Sequence, residues 1–363
     1  MSETARAPAT RPRVAIVVLN WNGWNDTVEC LEALQQLDYP DYQIIVVDNG
    51  STDASVACIR QWARGELPVA SALVPYDAAG KPVRCVEYTR GEAEGGGIER
   101  QEEELQSVPA ARRLVLVEAG ANLGFSAGNN VALRYALARG FRYVLLLNND
   151  VVVERDALGT LVNCLEEHPD WAGVAPKVLQ RANPRRILYA GGALRLWQAR
   201  AVHLGRSEPD GPRWSGSRVT GHVSACCALF RASFLQEAGL LDEEFFFGQE
   251  DVALSCVARE RGWGLGVQLD ARVVHNEGHS LEAQPATPVY YYAKYRVLLL
   301  ARYGTWWQLA SGTVFLLATR LPKFVWLLLR GRVRLVQAEL RAYRDAAVGR
   351  FGDYDREVAR VIG

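Results

Sequence analysis

The chain has no net charge, no cysteine pair at C-x-x-C spacing, no uninterrupted apolar run of about 20 residues and no apolar stretch near its start. Each absence removes a class of function. Lys and Arg together number 41, as do Asp and Glu, so there is no basic field of the kind nucleic-acid binders use. The seven cysteines follow no regular spacing and suggest neither a ligand set nor a disulfide framework. Cys226-Cys227, inside the apolar run SACCALF, are expected as buried thiols, and reduced thiols suit a cytosolic compartment. Met1 to Arg13 is rich in Ala, Pro and Arg without an apolar h-region, so it reads as a disordered lead-in, not a signal peptide. Arg greatly outnumbers Lys, a composition bias that carries no chemistry.

What is present is ample core material: 49% of the 363 residues are apolar, enough for one large domain with an appendage. Val14–Asn20, Ile44–Asp53 and the run ending in Leu146-Leu147-Asn148-Asn149-Asp150 are apolar strands that stop abruptly in polar side chains. In an open α/β sheet, ligands bind outside the carboxyl ends of parallel strands. Asn20, Asp48 and Asp150 brought to one such edge sketch a site for a nucleotide and a metal.

The alternation of apolar runs and helical patterns from Val14 to Asp156 predicts βαβ units and a mostly parallel sheet. Helices are expected over Asn25–Leu37, from the Ser51-Thr52-Asp53 cluster towards Arg64, up to Arg139 with Gly140 as the stop, and from Asp156 to His168. Residues 65–113, rich in Gly, Glu, Arg and Pro, are too long for an ordinary connection. They read as a partly flexible insertion over or beside the sheet, or as a spacer without a role. Shorter strand-like pieces through Phe230 suggest antiparallel additions that would hold an acceptor, and a further helix is expected from Gln249 to Gly262. The expected division is a lead over 1–13, a catalytic-type domain over 14–289 and a helical amphipathic region over 290–363.

Asp48 ends a strand before a tight Asn49-Gly50 turn, where its carboxylate can accept from the N3–H of uracil or thymine. Asp53 reads instead as a cap of the next helix. Asn148-Asn149-Asp150 offers oxygen ligands to Mg²⁺ or Mn²⁺, which take one or two carboxylates and complete their shell with phosphates and water. Turns favour the same residues. Glu250-Asp251 follows Phe245-Phe246-Phe247-Gly248-Gln249. Beside an aromatic wall a carboxylate loses solvation and becomes a better base; acids that complement a helix dipole are the plainer reading. His275, after Val273-Val274, is a candidate for a metal or phosphate role at a strand end.

Taken in order, VLNWNG at 18–23, VVDNGSTD at 46–53, NLGFSAGNN at 122–130, LLNND at 146–150, FFFGQEDVAL at 245–254 and VVH at 273–275 resemble the family 2 inverting glycosyltransferases, especially rhamnosyltransferase-like members. The resemblance covers roughly Val14 to Tyr303. It implies the GT-A fold, a Rossmann-like nucleotide-binding mixed sheet, and a UDP- or dTDP-sugar donor whose base meets Asp48. Asn20, Asn22, Asn122, Gly124, Asn129 and Asn149 are the other residues it points to on the donor side. Asp150 is implied as the metal-binding end of a DxD-type motif, with His275 completing the site for Mg²⁺ or Mn²⁺. Asp251, paired with Glu250, is implied as the catalytic base. Asn148 stands where many relatives carry the first acid of the DxD motif, and Ala253 where many carry a second Asp.

Two other readings compete. A sugar-1-phosphate nucleotidyltransferase would open with a Gly-rich, basic loop, but the first strand here leads into Asn20-Trp21-Asn22-Gly23. A non-catalytic scaffold that binds a glycan or partner would not need Asp48, Asp150 and Asp251 together. The acceptor is expected to be a glycan or a polyprenyl-linked saccharide. The C-terminal region reads as a membrane-associating appendage on the cytoplasmic face; the alternative is a helical subdomain that packs on the core or forms a homodimer interface. Tyr290-Tyr291-Tyr292, Trp306-Trp307 and Trp326 supply interface-seeking aromatics, and Arg320, Lys323, Arg330, Arg332 and Arg334 supply cations. Arg320, Pro322 and Lys323 argue against a true span.

Overall fold

The computed structural model describes residues 11–276 and 286–351. Residues 1–10 of the expected lead and residues 352–363 of the expected tail lie outside them. The first strand, β1 (Val14–Asn20), and the second, β2 (Tyr42–Asp48), are buried along nearly their whole length. They read as continuous apolar runs because a parallel sheet covered on both faces has no solvent side. Between them lies α1 (Trp24–Gln35), and after β2 comes α2 (Ser55–Arg64), which Gly65 closes in the left-handed conformation.

Residues 65–113 extend the sheet. They supply β3 (Arg84–Thr89), α3 (Arg90–Glu94) and α4 (Glu99–Gln106) before β4 (Arg113–Glu118), and β3 pairs in parallel with β4 as the outermost strand. Two buried carboxylates fasten this segment. Glu102 accepts from the hydroxyls of Tyr88 and Tyr135 at 2.9 and 2.7 Å. Glu32 on α1 accepts from Trp62 Nε1 at 2.8 Å and pairs with Lys81 at 3.1 Å.

Next come α5 (Gly124–Ala138), β5 (Tyr143–Asn148), the short β6 (Val151–Val153) and α6 (Ala157–Glu167). The second half contributes β7 (Trp171–Gln180), β8 (Asn183–Tyr189), a small hairpin of β9 (Gly192–Arg195) and β10 (Arg200–His203), then β11 (Ser217–Val219) and β12 (Cys227–Arg231). After α7 (Ala232–Ala238) and α8 (Glu250–Glu260), β13 (Gly264–His275) closes the series. The sheet order is β11-β13-β7-β12-β5-β1-β2-β4-β3, with β6 on β13 and β8 on β7. β1 lies in parallel between β5 and β2, while β12 runs antiparallel to β5. The strand order therefore reverses direction between β1 and β5, where such sheets open a crevice at their carboxyl ends.

Three helices follow: α9 (Ala286–Tyr303), α10 (Trp306–Leu329) and α11 (Val333–Ala347). Here the structure corrects the sequence reading twice. Tyr290 and Tyr291 are buried, not presented to an interface. Tyr291 stacks on Phe246 at 5.5 Å, and the Tyr295 hydroxyl accepts from Phe246 N at 2.7 Å, so α9 forms one aromatic core with the loop that precedes α8. α11 covers the other side, where the Tyr290 hydroxyl donates to Asp345 at 2.7 Å. The second correction concerns Arg320 and Lys323. Both reach inward to the buried carboxylate of Glu339 on α11, at 3.0 and 2.8 Å, instead of outward as surface cations. They therefore leave the outer face of α10 apolar: Trp306, Val314, Leu317, Leu321, Val325 and Leu329 are all exposed.

Candidate active site at the carboxyl edge of the sheet

Two clusters form at this edge, and they differ in how their polar groups are used. The first lies at the ends of β1 and β2. Asn20 pairs in register with Asp48 and donates to its Oδ1 at 2.8 Å. Ser51 N donates to Asp48 Oδ2 at 3.0 Å, and the Thr27 hydroxyl donates to Asn20 Oδ1 at 2.7 Å. Asn22, with φ of 52°, accepts from Thr52 N at 2.7 Å. Asn149 donates to Thr27 and to the Gly23 carbonyl, at 3.0 and 3.2 Å. Asn122 Oδ1 accepts from Gly124 N at 2.9 Å and from Asn49 Nδ2 at 3.1 Å, while Asn129 donates to the Phe125 carbonyl. Asn20, Asn22, Asn122, Asn129 and Asn149 are thus engaged in shaping their own loops, and Asp48 is held with both carboxylate oxygens already accepting. Asp53 accepts from Ser55 N at 2.9 Å, shaping the turn one residue ahead of the Ala54 N-cap instead of capping the helix itself.

The second cluster lines a cavity of about 310 Å³. Asn148, Asp150, Glu250, Asp251 and His275 all face it, with His203, His222, Cys226, Gln249 and Tyr292. Its assembly follows from register. β6 runs antiparallel to the end of β13 with Val151 opposite His275, which brings Asp150 beside that imidazole: Oδ1 and Nε2 are 3.1 Å apart. Asn148 Oδ1 and His275 Nδ1 are buried without a hydrogen-bond partner, and Asp150 Oδ1 has no aligned donor. Burial opposes a charge on His275, but the neighbouring Asp150 and Cys226 outweigh it and hold the imidazole pKa well above its ordinary value. Buried polar atoms without partners are rare and mark places where something is missing. An amide oxygen and a carboxylate, with the imidazole once it yields its ring proton to the incoming ion, make a donor set suited to a hard divalent cation that finds the rest of its shell on phosphates and water. Among the described residues, no three His, Cys, Asp or Glu side chains are grouped for a metal without such help.

The acidic pair reaches the same cavity through strained backbone. Gly248 and Gln249 both have positive φ, 80° and 75°, and Gln249 has a Cβ to accommodate there. Strain of this kind persists where the surroundings force it, commonly at functional sites. It swings the first turn of α8 so that Glu250 and Asp251 both face the cavity. Their environments pull them apart. Burial, then the charge of Asp251, pushes the Glu250 carboxyl up to about 8, and its Oε2 has no partner. Burial pushes Asp251 the same way, but His222 and the Ala225 N–H, at 3.2 Å from Oδ2, bring its pKa below the ordinary carboxylate value. The desolvated acid expected beside the aromatic wall is therefore Glu250, and Asp251 is the ionised partner.

Gly124 joins the two clusters. Its φ is +81°, and a Cβ there would lie 2.5 Å from the Phe246 ring. Phe125 N donates to the Phe246 carbonyl at 2.6 Å and the Ser126 hydroxyl to the Phe245 carbonyl at 2.7 Å. The loop opening α5 is thereby locked onto the loop that carries the acidic pair. Several cavity residues gave no signal in the sequence. His203 and His222 sit in polar, Gly-punctuated stretches with no periodicity, and Tyr292 belonged to an expected appendage. Cys226 was expected to be buried, whereas it is half-buried and faces the cavity; Cys227 is buried as expected.

Comparison with known proteins places the chain. The model of "Glycosyl transferase family 2" matches residues 15–71, and that of "Glycosyltransferase like family 2" matches residues 98–285. The low-salt glycan biosynthesis hexosyltransferase Agl10 of Haloferax volcanii is 24% identical over 208 residues, 55% of this chain and 60% of that protein. The N-acetylglucosaminyl-diphospho-decaprenol L-rhamnosyltransferase of Mycobacterium tuberculosis is 33% identical over 92 residues, 25% of this chain and 30% of its own length. The chain thus spans less than two thirds of either relative. The crystal structure of S. aureus TarS 1–349 superposes on 96% of this chain and 83% of its own, with a TM-score of 0.52 at 14% identity, a likeness of fold. The mixed sheet is that of a GT-A protein, and with a single family model spanning more than half of its 363 residues, the chain belongs to the family 2 glycosyltransferases.

Proposed function

We propose that the protein is an inverting glycosyltransferase that moves a sugar from a UDP- or dTDP-sugar to a hydroxyl of a glycan or polyprenyl-linked saccharide. The observation that carries this reading is the meeting of two groups on one cavity: the adjacent carboxyls of Glu250 and Asp251, whose surroundings push their pKa values apart, and the partnerless Asn148 oxygen beside the Asp150–His275 pair. Asp251 takes the proton from the acceptor hydroxyl as that oxygen attacks the anomeric carbon. Glu250, neutral at pH 7, does not compete for that proton. The nucleoside diphosphate departs towards Asn148, Asp150 and His275, and its base is read near Asp48. Asp150, His275 and Asn148 would hold Mg²⁺ or Mn²⁺, which when bound supplies positive charge to the leaving diphosphate.

A donor screen tests this. UDP- and dTDP-sugars are incubated with saccharide acceptors and Mg²⁺ or Mn²⁺; released nucleoside diphosphate and the anomer of the product are measured. Release with an inverted product is expected. Saccharide binding without release from any donor would make the chain a binding scaffold, and pyrophosphate release from a nucleoside triphosphate would make it a nucleotidyltransferase.

The same reading places the enzyme at the cytoplasmic face of a membrane, with α10 lying in the headgroup region of an anionic bilayer. Supporting it is the uncharged outer face of α10, followed by the exposed Arg330, Arg332 and Arg334. Cations near anionic lipid contribute about 1 kcal/mol each. The helix, at 24 residues, is long and apolar enough to cross a membrane. One side of it, however, is committed to the protein through the buried Gly312, Leu316 and Leu327, which favours an in-plane position. Flotation with phosphatidylglycerol vesicles should be strong for the intact chain and lost in Leu317→Glu/Val325→Glu. A dimer that dissociates in that variant, without vesicle binding in either form, would assign the face to a second copy and overturn the placement.

A further inference from the structure

His222 is 1% exposed and faces the cavity, and so far it has entered only as a neighbour that lowers the Asp251 pKa. Its backbone is pinned from three sides. Gly192 forms an isolated antiparallel bridge with it, the Tyr189 hydroxyl donates to its carbonyl at 2.7 Å, and Val223 N, next in the chain, donates to the Ser255 hydroxyl at 3.3 Å. That hydroxyl in turn donates to the carbonyl of Asp251 at 2.7 Å. One hydroxyl thus sets the imidazole-bearing loop against the first turn of α8.

The imidazole has been given its own space. A Cβ on Gly192 would lie 1.9 Å from His222 Nδ1, so only glycine admits the ring there. His203 stacks on one face at 5.6 Å, and Tyr189 meets it edge-on at 5.9 Å. Nδ1 has no hydrogen-bond partner, whereas Nε2 points to Asp251 Oδ2 at 3.7 Å. With Nδ1 against backbone, the ring proton belongs on Nε2, the edge that faces the carboxylate.

We infer that His222 is a positioning residue for Asp251. The Ala225 N–H donates to Oδ2 at 3.2 Å, and the polar Nε2 edge of His222 faces the same oxygen from 3.7 Å, beyond a direct hydrogen bond but near enough to favour the carboxylate's present rotamer and its ionised form before the acceptor arrives. The other titratable groups on this cavity are less suited to that task. Glu250 lies on the same helix turn and is pushed towards its neutral form; Asp150, His275 and Cys226 interact with one another; His203 contributes charge to Asp251 and stacks on His222. The inference rests on Asp251 being the base, and it concerns what keeps that base ready.

His222→Phe preserves the ring stack and removes the donor. Its kcat should fall at least tenfold with the donor KM unchanged, and the acidic limb of its pH–rate profile should move up by about one unit, because Asp251 holds its proton more firmly. His222→Gln, whose amide nitrogen reaches the Nε2 position, should restore most of the rate and return the limb; His222→Asn, whose amide stops at Nδ1, should not. If His222→Phe fails to fold, the Gln and Asn pair carries the same test, and equal losses in the two would overturn the inference. In an Asp251→Asn background His222→Phe should cost nothing further, whereas an additive loss would show that it acts elsewhere. Retained turnover in Asp251→Asn would sink the base assignment itself. An inactive Asp251→Asn with an unmoved acidic limb in His222→Phe would sink only the role of His222.

Discussion

The ends of β1 and β2 and the cavity between β5, α8 and β13 hold similar side chains in opposite conditions. Around Asp48 the amides, hydroxyls and N–H groups are paired with one another; around Asp150 and Glu250 several are not, among them Asn148 Oδ1, His275 Nδ1 and Glu250 Oε2. The contrast separates two jobs that a motif of Asn and Asp can do. A paired cluster gives the chain a fixed loop geometry and contributes to stability. An unpaired one costs stability and persists because a ligand or a proton completes it.

The comparison can be broken most sharply at Asp251. Asp251→Asn should reduce turnover by about 10²–10⁴-fold while calorimetry shows UDP binding intact; more than a tenth of normal turnover would transfer the base role to Glu250. Next in size, Asp150→Ala should abolish the dependence of UDP binding on Mg²⁺ or Mn²⁺, with a smaller loss in His275→Ala, since carboxylate oxygen suits these ions better than imidazole does. Unchanged metal-assisted affinity would remove Asp150 from that role.

Glu250→Gln tests the cost of the unpaired side through pH. Its folded pKa, about 8, lies above the ordinary value of 4.5, so between these the folded state binds more protons than the unfolded one. Stability contributed by the protonated group is full below pH 4.5 and is lost as pH rises towards and through 8. Urea midpoints of Glu250→Gln should therefore gain on the native protein across that window, and parallel curves would contradict the assignment. The smallest effects come from an asparagine pair. Asn20→Ala strands Asp48 Oδ1 and removes an acceptor of the Thr27 hydroxyl, and should cost about 1–3 kcal/mol. Asn148→Ala, whose Oδ1 has no donor to lose, should cost less; equal losses would erase the distinction between the clusters.

Much of the first half was legible in the sequence because buried parallel strands leave no polar alternation. Val14–Asn20 is β1 to the residue, and the helices expected over Asn25–Leu37 and from Asp156 to His168 fall within a few residues of α1 and α6. β3 was not legible: its alternating exposure, Arg84, Glu87 and Thr89 against Val86 and Tyr88, belongs to an edge strand set among Gly and Glu. At the site, the acids and His275 could be found because each ends or follows an apolar run. His222 could not, since its meeting with Asp251 depends on a bridge to Gly192 thirty residues earlier. The inward turn of Arg320 and Lys323 depends on Glu339, one helix away, which no periodicity within α10 could reveal.

The contact between Gly124 and Phe246 has a consequence for descent. The two residues stand 122 positions apart, yet no atom can be added to the first without displacing the ring or carbonyl of the second. Lineages that diverge in donor or acceptor must then inherit NLGFSAGNN and FFFGQED as a unit. A chimera that takes one of these segments from a distant cousin and leaves the other should assemble its sheet and still misplace its acids.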